Sequence, residues 1–560
     1  MAKGKGLGGT SILNAMIYIK GNKRDYDTWE KLGNTGWGWD TVKEHFKNLE
    51  NMQAEGVSDE YGRGGYMTLN RYPSDQPIAS AIIEAFKEMR LPLLNEENPA
   101  NPLGVLTGFQ CIKDGIRFNT GRAFLGQVKS RSNLMTALHS FVQKVNINRK
   151  SKSATGVQVN VRGTIINVKA KKEVIVSGGT VNSPQLLMLS GIGPKNHLEK
   201  VNVDPIKDLP VGEHLEDHTL HAGFFVKVNP EIQLIDNQLD TIYKYFAHQE
   251  GKLGTLMITN IMASAFPSVM GLKNEILANI NDAIEKKSVL GITSTVLNPK
   301  SQGKILLKTS NANDKPLIYS GYLSDQNGED MAIMLESLRF LENLIETSSL
   351  KKYDPQIMQL NLPECDKFEF RSDDYWKCSI RYLTTTIFHP TGTCKMGPSD
   401  DGTAVVDLEL RVFGIDNLRV ADASIMPNIN KTDKTPRDTA RTRRRKRNVR
   451  ESKENTFGKS VSRVMTKGGT AKKRILVQKS PPDSTTEAIK KAVVEAAGKE
   501  QASDIVRAWT EGRGDAKGMK SAMIDVDEDA VEKVEKVYEK DTSGLYILSN
   551  GGSKGKDTQM

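Results

Sequence analysis

The first residues able to do chemistry form the glycine-rich run MAKGKGLGGTSILNA at the start of the chain. Gly4, Gly6 and Gly9 satisfy G-x-G-x-x-G, the spacing of a dinucleotide-binding loop. In such a loop a strand leads into the glycines, and the helix that follows points its N-terminus at a pyrophosphate. Only three residues precede Gly4, which is too few for that strand. The spacing alone therefore does not establish a dinucleotide site.

Three histidines in HLEDHTLH, namely His214, His218 and His221, form the pattern H-x3-H-x2-H. Closely spaced imidazoles are typical zinc ligands. The H-E-x-x-H order of a zinc-protease helix is absent, and no further ligand is indicated nearby. We therefore predict no metal at this segment.

The cysteines and serines exclude two other chemistries. Four cysteines are too few and too irregularly spaced for a disulfide framework or a zinc site, although Cys365 and Cys378 can bridge in an oxidising compartment. Serine hydrolases need a G-x-S-x-G turn between a strand and a helix. In SGIG (190–193) the serine lies outside that pattern. The sequence therefore gives no support to acyl-transfer chemistry.

The elements that must position any site alternate along the first 428 residues. The segment 171–179 (KKEVIVSGG) predicts a buried strand, and 303–309 (GKILLKT) predicts a half-exposed one. Apolar residues recur at helical spacing across 324–348, behind an acidic start. With 560 residues and 38% hydrophobic content, the chain can form two or more domains. The interleaving of strand and helix patterns predicts α/β or α+β architecture.

Charge is distributed unevenly along the chain. Between residues 431 and 479 there are 18 Lys and Arg against four acidic residues, a local balance of +14 within a total of +10. This segment has no periodic apolar face, which predicts disorder. Beyond it, 484–512 and 525–540 are helical candidates. No apolar run is long enough to span a bilayer, and the N-terminus has no apolar secretory segment.

Five stretches together resemble the glucose–methanol–choline (GMC) oxidoreductase family. They occur in the family's order and cover residues 3–428: GKGLGGTSILNAMIYIKGNKRDYD (4–27), GTVNSPQLLMLSGIGP (179–194), LPVGEHLEDH (209–218), FHPTGTCKMGP (388–398) and LRVADASIMP (418–427). The resemblance implies a three-layer, Rossmann-like FAD-binding domain, interleaved with a substrate domain made of an antiparallel sheet and helices. It also implies oxidation of an alcohol by hydride transfer to the flavin.

The resemblance further implies that HLEDHTLH (214–221) is a structural loop near the cofactor, and it implies which residues lie beside FAD. Small residues in the glycine turn let backbone N–H groups approach a polar cofactor closely. Val142 matches the position that contacts adenine through its backbone, and Asp422 with Ala423 matches the pair on the flavin side. The positions expected beside the cofactor are Gly8, Gly9, Asn14, Ala15, Met16, Ile17, Val142, Phe388, Asp422 and Ala423.

His389 matches the catalytic base of the family. An alcohol gives up hydride readily only if its hydroxyl proton also leaves, and a neutral imidazole accepts such a proton near physiological pH. We expect the substrate to be a small alcohol, while the electron acceptor and the cellular location are not indicated by the sequence.

Both ends of the matched region depart from the family pattern. We expect the βαβ unit that holds the FAD pyrophosphate to belong before Met1. The family's second His or Asn beside the base has no counterpart in NINKTDKTPRDTARTRRRKR, which follows SIMP. The sequence therefore predicts impaired activity. The alternative is a catalytically inactive GMC-like protein whose basic segment, 431–480, binds nucleic acid or another polyanion without base selectivity.

We predict four segments from these observations. They are an incomplete FAD-binding domain over 1–220 with 385–428, a substrate domain over 221–384, a basic disordered linker over 429–483 and a helical or disordered tail over 484–560.

Overall fold

The computed structural model describes residues 3–71, 77–97, 104–229, 241–247, 253–259, 273–279, 281, 288–429, 473–478, 521–526 and 546–549. The chain divides into two compact units, Met1–Arg444 and Arg445–Met560. Everything expected to do chemistry lies in the first unit.

The α-helices of the described residues are α1 (Lys23–Lys31), α2 (Trp39–Leu49), α3 (Pro77–Glu88), α4 (Gly126–Val128), α5 (Gly179–Leu189), α6 (Lys195–Lys200), α7 (Asn274–Leu277), α8 (Glu329–Ile345), α9 (Ser348–Lys351) and α10 (Asp373–Leu383). Short 3-10 helices cover Gly9–Ile12 and Ala423–Ile425, and a π-helix covers Gly121–Leu125.

The strands are β1 (Ile17–Tyr18), β2 (Glu50–Met52), β3 (Met67–Leu69), β4 (Leu93–Leu94), β5 (Gly104–Thr107), β6 (Phe109–Gln110), β7 (Ile112–Lys113), β8 (Ile116–Arg117), β9 (Ser140–Asn148), β10 (Ser153–Val161), β11 (Thr164–Lys169), β12 (Val174–Val176), β13 (Thr219–Lys227), β14 (Thr241–Ala247), β15 (Leu253–Thr259), β16 (Val289–Val296), β17 (Lys304–Leu306), β18 (Leu317–Tyr319), β19 (Gln356–Ile357), β20 (Thr384–Thr386), β21 (Leu418–Val420), β22 (Lys473–Gln478), β23 (Ser521–Val526) and β24 (Tyr546–Ser549).

A large sheet of order β19-β13-β16-β15-β14-β5-β4 dominates the first unit. Adjacent strands of this sheet run antiparallel, except β4 and β5, which run parallel to each other. The short strand β20 pairs with the beginning of β13, so that Thr386 lies opposite Thr219. This pairing fixes where the chain leaves the sheet toward His389.

Helices cover this sheet and form its core, and we call the sheet with these helices the sheet region. Apolar side chains of α3, α8 and α10 pack with those of β13 and β16 in one buried cluster. Trp376 of α10 is only 1% exposed, and its ring stacks on Phe224 of β13 at 5.7 Å. Helix α8 confirms the helix predicted within 324–348; it begins at Glu329, whose N–H has no acceptor inside the helix and donates to the carboxylate of Asp325.

The second part of this unit mixes parallel and antiparallel strands. Strands β12 and β21 form a parallel pair, and α5 follows β12 directly. Strands β11, β10 and β9 form an antiparallel sheet in that order. This arrangement confirms the mixed α/β class. The strand predicted within 171–179 is present, but the expectation that it is buried is wrong for Ile175, which is 56% exposed because no described strand or helix covers its outward face.

The second unit contains an antiparallel sheet of order β23-β22-β24. The sequence analysis did not anticipate it, although the short apolar run ILV in KRILVQ, with two β-branched residues, is compatible with a strand. Strand β22 lies in the segment predicted to be a basic linker, whose other residues beyond 429 are outside the described ones. The predicted helices at 484–512 and 525–540 also lie outside them, except that Asp525 and Val526 end β23.

A disulfide joins Cys365 to Cys378 of α10, the pair for which the sequence allowed a bridge. Cys111 and Cys394 are free thiols. Across the ranges that the structure describes, no helix is long and apolar enough to cross a membrane.

Candidate active site

His389 lies on a loop, residues 387–393, that begins where β20 ends. The preceding residue, Phe388, has a left-handed backbone with φ of 67°. Its N–H donates to Thr386 Oγ1 at 2.7 Å, and Lys3 Nζ donates to its carbonyl at 2.8 Å. A non-glycine residue in this conformation costs about 1–3 kcal/mol and persists only where its surroundings fix it. The sheet region and the N-terminal segment thus hold the loop from both sides.

The start of α5 fixes the other end of this loop. Pro184 lies inside the helix and has no N–H to donate to the carbonyl of Thr180. The hydroxyl of Thr393 takes that place, donating to Thr180 O at 2.7 Å, and the hydroxyl of Thr180 donates to Pro390 O at 2.7 Å. The proline in GTVNSPQ therefore leaves a carbonyl free to anchor the loop.

Asp422 and Ala423 lie beside the same helix start. The Asp422 carboxylate accepts the N–H of Gly179 at 2.8 Å, the hydroxyl of Ser183 at 2.5 Å and the N–H of Ser424 at 2.9 Å. An acidic group at a helix N-terminus is favourable to the helix dipole. Because protein donors already occupy this carboxylate, its contribution to a cofactor site would come through backbone atoms. The carbonyl of Ala423 accepts the Gly392 N–H at 3.3 Å, which ties the pair to the His389 loop.

The glycine turn combines two different uses of glycine. Gly8, with φ of 104°, has no room for a side chain, because a Cβ would lie 3.0 Å from Asn119 Oδ1 and 3.1 Å from Gly121 N. Gly9, with φ of 55°, faces open space. The turn is held by Thr120, whose hydroxyl donates to Gly8 O at 3.0 Å. One glycine thus packs the turn against the protein, and the other leaves backbone accessible to a bound group.

Hydrogen bonds to Asn14 fix the conformation of the residues after the turn. Met16 has φ of 63°, and its N–H donates to Asn14 Oδ1 at 3.1 Å. Arg117 donates to the carbonyl and the side chain of Asn14 at 2.6 and 2.9 Å. Asn14 and Ala15 are exposed, while Ile17 pairs with Gln110 through β1 and β6. This segment therefore presents a fixed, accessible strip of backbone next to a guanidinium.

Val142 is placed elsewhere in the α/β part. It lies on β9 opposite Val159 of β10. The same strand reaches α5 through Val145, whose N–H donates to Ser190 Oγ at 2.9 Å at the end of that helix. These hydrogen bonds tie the His389 loop to Ala423 through Gly392 and to the glycine segment through Lys3, whereas the strand of Val142 contacts the end of α5.

The electrostatic surroundings of His389 keep its imidazole neutral. His389 is exposed, while the next two residues of the loop, Pro390 and Thr391, are buried. Desolvation, with a smaller effect from the positive charge of Lys3, lowers the pKa of His389 to about 4. At neutral pH the imidazole can therefore accept a proton.

The sequence analysis missed the partner that the structure gives His389. His218 Nδ1 lies 3.0 Å from His389 Nδ1, and the rings meet edge to face with centroids 5.3 Å apart. His221, three residues later, is buried and instead bonds Ser379 Oγ at 3.0 Å. His218 and His221 of HLEDHTLH therefore lie in different surroundings. Within the described part of the chain, no group of three His, Cys, Asp or Glu side chains is placed to hold a metal ion.

The residues present fit a flavin. Gly9 and Gly179 both have positive φ and open space where a Cβ would stand, so a planar group can approach their backbones closely. Leu7 and Leu13, on either side of the glycine turn, are each 49% exposed and offer apolar surface. We call the glycine segment 3–17 together with the His389 loop and Asp422–Ala423 the site region.

Comparisons with known proteins show which family this chain is similar to. Family models described as GMC oxidoreductase match residues 1–220 and 299–440. Glucose dehydrogenase [FAD, quinone] of Drosophila pseudoobscura pseudoobscura is 37% identical over 454 residues, which cover 76% of this chain and 71% of the relative. Alcohol dehydrogenase [acceptor] of Pseudomonas putida is 33% identical over 443 residues, with 76% and 78% covered. The crystal structure of pyridoxine 4-oxidase from Mesorbium loti superposes with a TM-score of 0.64 at 26% identity, covering 77% of this chain and 81% of that one.

Proposed function

Because this chain belongs to the GMC oxidoreductase family, we propose that it oxidises the CH–OH group of a small alcohol and that His389 is the base which accepts the hydroxyl proton. FAD is the cofactor. The relatives include enzymes named for glucose and for alcohol. We therefore propose the class of substrate, an alcohol, and no individual substrate.

The observation that carries the proposal is the state of His389. Its imidazole is neutral at physiological pH, it is accessible from solvent, and the loop that bears it is fixed at Phe388 and Thr393. A base must be unprotonated and positioned before it can remove a proton, and such a base typically contributes about 10²–10⁴ in rate. The lowered pKa, about 4, keeps His389 unprotonated at neutral pH. The hydrogen bonds that anchor the loop support its positioning.

FAD, when bound, supplies the acceptor for the hydride that leaves the alcohol carbon. We propose that the backbone around Gly8, Gly9 and Asn14–Ile17 holds it, with Phe388, Asp422, Ala423 and Val142 as further contacts. Lys3 and Arg117 add positive charge to this strip, which favours an anionic cofactor.

Several finer expectations remain proposals. The family's second catalytic His or Asn would fall after residue 429, outside the described residues, so the predicted impairment stays a prediction. The domain boundaries and the electron acceptor also stay open. The alternative function, polyanion binding through 431–480, predicts that deleting this segment removes retention on heparin at moderate salt; unchanged retention would contradict it.

The proposal is tested by anaerobic reduction of the flavin. After the protein is saturated with FAD, added alcohol should bleach the visible absorbance of oxidised flavin. His389→Ala should slow this step about 10²–10⁴-fold. His45→Ala, which alters an exposed histidine on α2, is the matched control and should leave the rate unchanged. A His389→Ala variant that binds FAD normally and is reduced at the wild-type rate would refute the role of His389.

A further inference from the structure

Residues Leu215–His218 run antiparallel beside the His389 loop. Glu216 and Thr391 exchange both backbone hydrogen bonds, at 3.3 and 2.8 Å. The Ile387 N–H donates to the carbonyl of His218 at 3.2 Å. The segment therefore lies in register with the loop, and each of its last three residues faces a defined part of it.

The side chains of this segment also engage the loop. Asp217 Oδ1 accepts the backbone N–H of His389 at 3.0 Å, and Asp217 Oδ2 accepts the hydroxyl of Tyr322 at 2.7 Å. Glu216 Oε2 accepts the N–H of Ile429 at 2.8 Å, just beyond the SIMP motif. Against this fixed backbone, the Nδ1 atoms of His218 and His389 lie 3.0 Å apart. The ring contact is thus the last of a series of contacts that orient His389.

A hydrogen bond between two Nδ1 atoms needs one proton, so the two rings must be in complementary tautomers. If His389 donates, its Nε2 has a lone pair and can act as a base. If His218 donates, the proton of neutral His389 is on Nε2, and that atom cannot accept another. The role proposed for His389 therefore selects the first arrangement, in which His218 carries its own proton on Nε2.

We propose that His218 is a positioning residue, which accepts the Nδ1–H of His389 and thereby presents the Nε2 lone pair of His389 to the alcohol. This inference rests on the proposed function of His389. In the reaction, the alcohol proton moves to His389 Nε2, while the Nδ1–H of His389 keeps donating to His218. The resulting imidazolium is stabilised by the same bond, since donors with positive charge make stronger hydrogen bonds.

The charged groups around the pair are compatible with this arrangement. Lys3 lies against the carbonyl of Phe388 and opposes protonation of His389. Asp217, whose pKa is raised by burial, faces the loop backbone and Tyr322. If both histidines were protonated, two N–H donors would face each other, so the pair holds only one extra proton while the contact persists.

The test compares His218→Phe, which keeps a ring but removes the acceptor, with His218→Asn, which retains an acceptor. His214→Asn, in the same segment, is the matched control. The first readout needs neither flavin nor substrate: nitrogen-15 NMR of labelled histidines reports which ring nitrogen of His389 is protonated. The second is the pH profile of flavin reduction by an alcohol.

In the wild type and in His214→Asn we expect a single His389 tautomer with the proton on Nδ1. His218→Phe should give a mixture and slow flavin reduction about 10–100-fold, the range found when a group that orients a metal-bound histidine is removed. His218→Asn should restore part of the rate. An unchanged tautomer and pH profile in a folded His218→Phe protein would overturn the inference, even if His389→Ala is inactive. Full activity of His389→Ala would instead remove the proposed function itself.

Discussion

The sheet region and the site region differ in how far they bury apolar side chains and in the conformation of their backbone. In the sheet region, large apolar side chains are removed from water: Trp376 is 1% exposed, and Phe86 and Phe225 are fully buried. In the site region, Leu7 and Leu13 remain half exposed, and Gly8, Met16 and Phe388 have left-handed backbones. The first region gains free energy from burial, whereas the second retains accessible and strained backbone.

The difference shows how a strained loop is kept in place. The His389 loop follows β20 directly, β20 pairs with β13 near one edge of the large sheet, and Ile387 of the loop packs against the core of the sheet region. Polar contacts from Asp217, Thr180 and Thr393 then fix its backbone. Binding groups commonly lie on loops that a rigid scaffold positions. We therefore expect substitutions to affect stability in one region and chemistry in the other.

The largest effect on stability is expected from Trp376→Ala. This change empties a well-packed site and removes the indole N–H that donates to Glu342 Oε1 at 3.1 Å. Truncating a buried Trp costs about 3–5 kcal/mol. Urea unfolding followed by circular dichroism measures the loss. A change below about 1 kcal/mol, the range of ordinary substitutions, would break the contrast between the regions.

Removing the disulfide should have the next largest effect. Cys365 and Cys378 are 13 residues apart, and closing a loop of this size stabilises the folded state by about 3 kcal/mol. Cys378→Ala should lower the free energy of unfolding by roughly that amount. Cys111→Ala, at a free thiol, is the control. Equal stability of the two variants would show that the bridge does not support the helix that leads into β20.

Acid should destabilise the sheet region through His221. Burial lowers the pKa of His221 to about 3 in the folded protein, and an unfolded histidine titrates near 6.5. The unfolded state therefore binds more protons as pH falls below about 6.5, and stability decreases between that value and about 3. At pH 5.5 the loss is about 1.4 kcal/mol relative to pH 7.5.

The variant His221→Gln isolates this effect, because it does not titrate and retains a side-chain amide for Ser379. The difference in unfolding free energy between wild type and variant should shrink by about 1.4 kcal/mol from pH 7.5 to pH 5.5. A difference that does not change with pH would mean that His221 is not held in its neutral form.

The smallest effect is expected at exposed apolar residues. Met135 is 93% exposed and Leu13 is 49% exposed. Substituting either with Ala should change the free energy of unfolding by no more than about 0.5 kcal/mol. A loss as large as that of Trp376→Ala would show that these side chains are packed in solution and would remove the contrast.

Motifs and periodicity predicted much of the fold. Apolar spacing indicated α8, alternation indicated β17, and the interleaving of helix and strand patterns indicated the mixed α/β class. The apolar run VIV (174–176) could not reveal that Ile175 is exposed, because exposure depends on which other parts of the protein cover the strand. The three-stranded sheet of the second unit was missed because β22 lies in a strongly basic stretch whose net charge dominated the interpretation.

The candidate site was less predictable from sequence. The resemblance selected His389, but His218 lies 171 positions away and was assigned to a structural loop. Only the pairing of 215–218 with 387–391 brings the two rings together. In the same way, the sequence shows that Pro184 has no N–H to donate to the carbonyl of Thr180. Only the tertiary structure shows that the hydroxyl of Thr393 donates there instead.

The central claim is that His389 acts as a neutral base, and chemical rescue tests it most directly. The measurement is the rate of flavin reduction by alcohol in His389→Ala, as a function of added imidazole and pH. We predict that the rate is lost in the variant and returns in proportion to the concentration of neutral imidazole. A wild-type rate without imidazole, or a recovered rate that follows imidazolium, would contradict the claim.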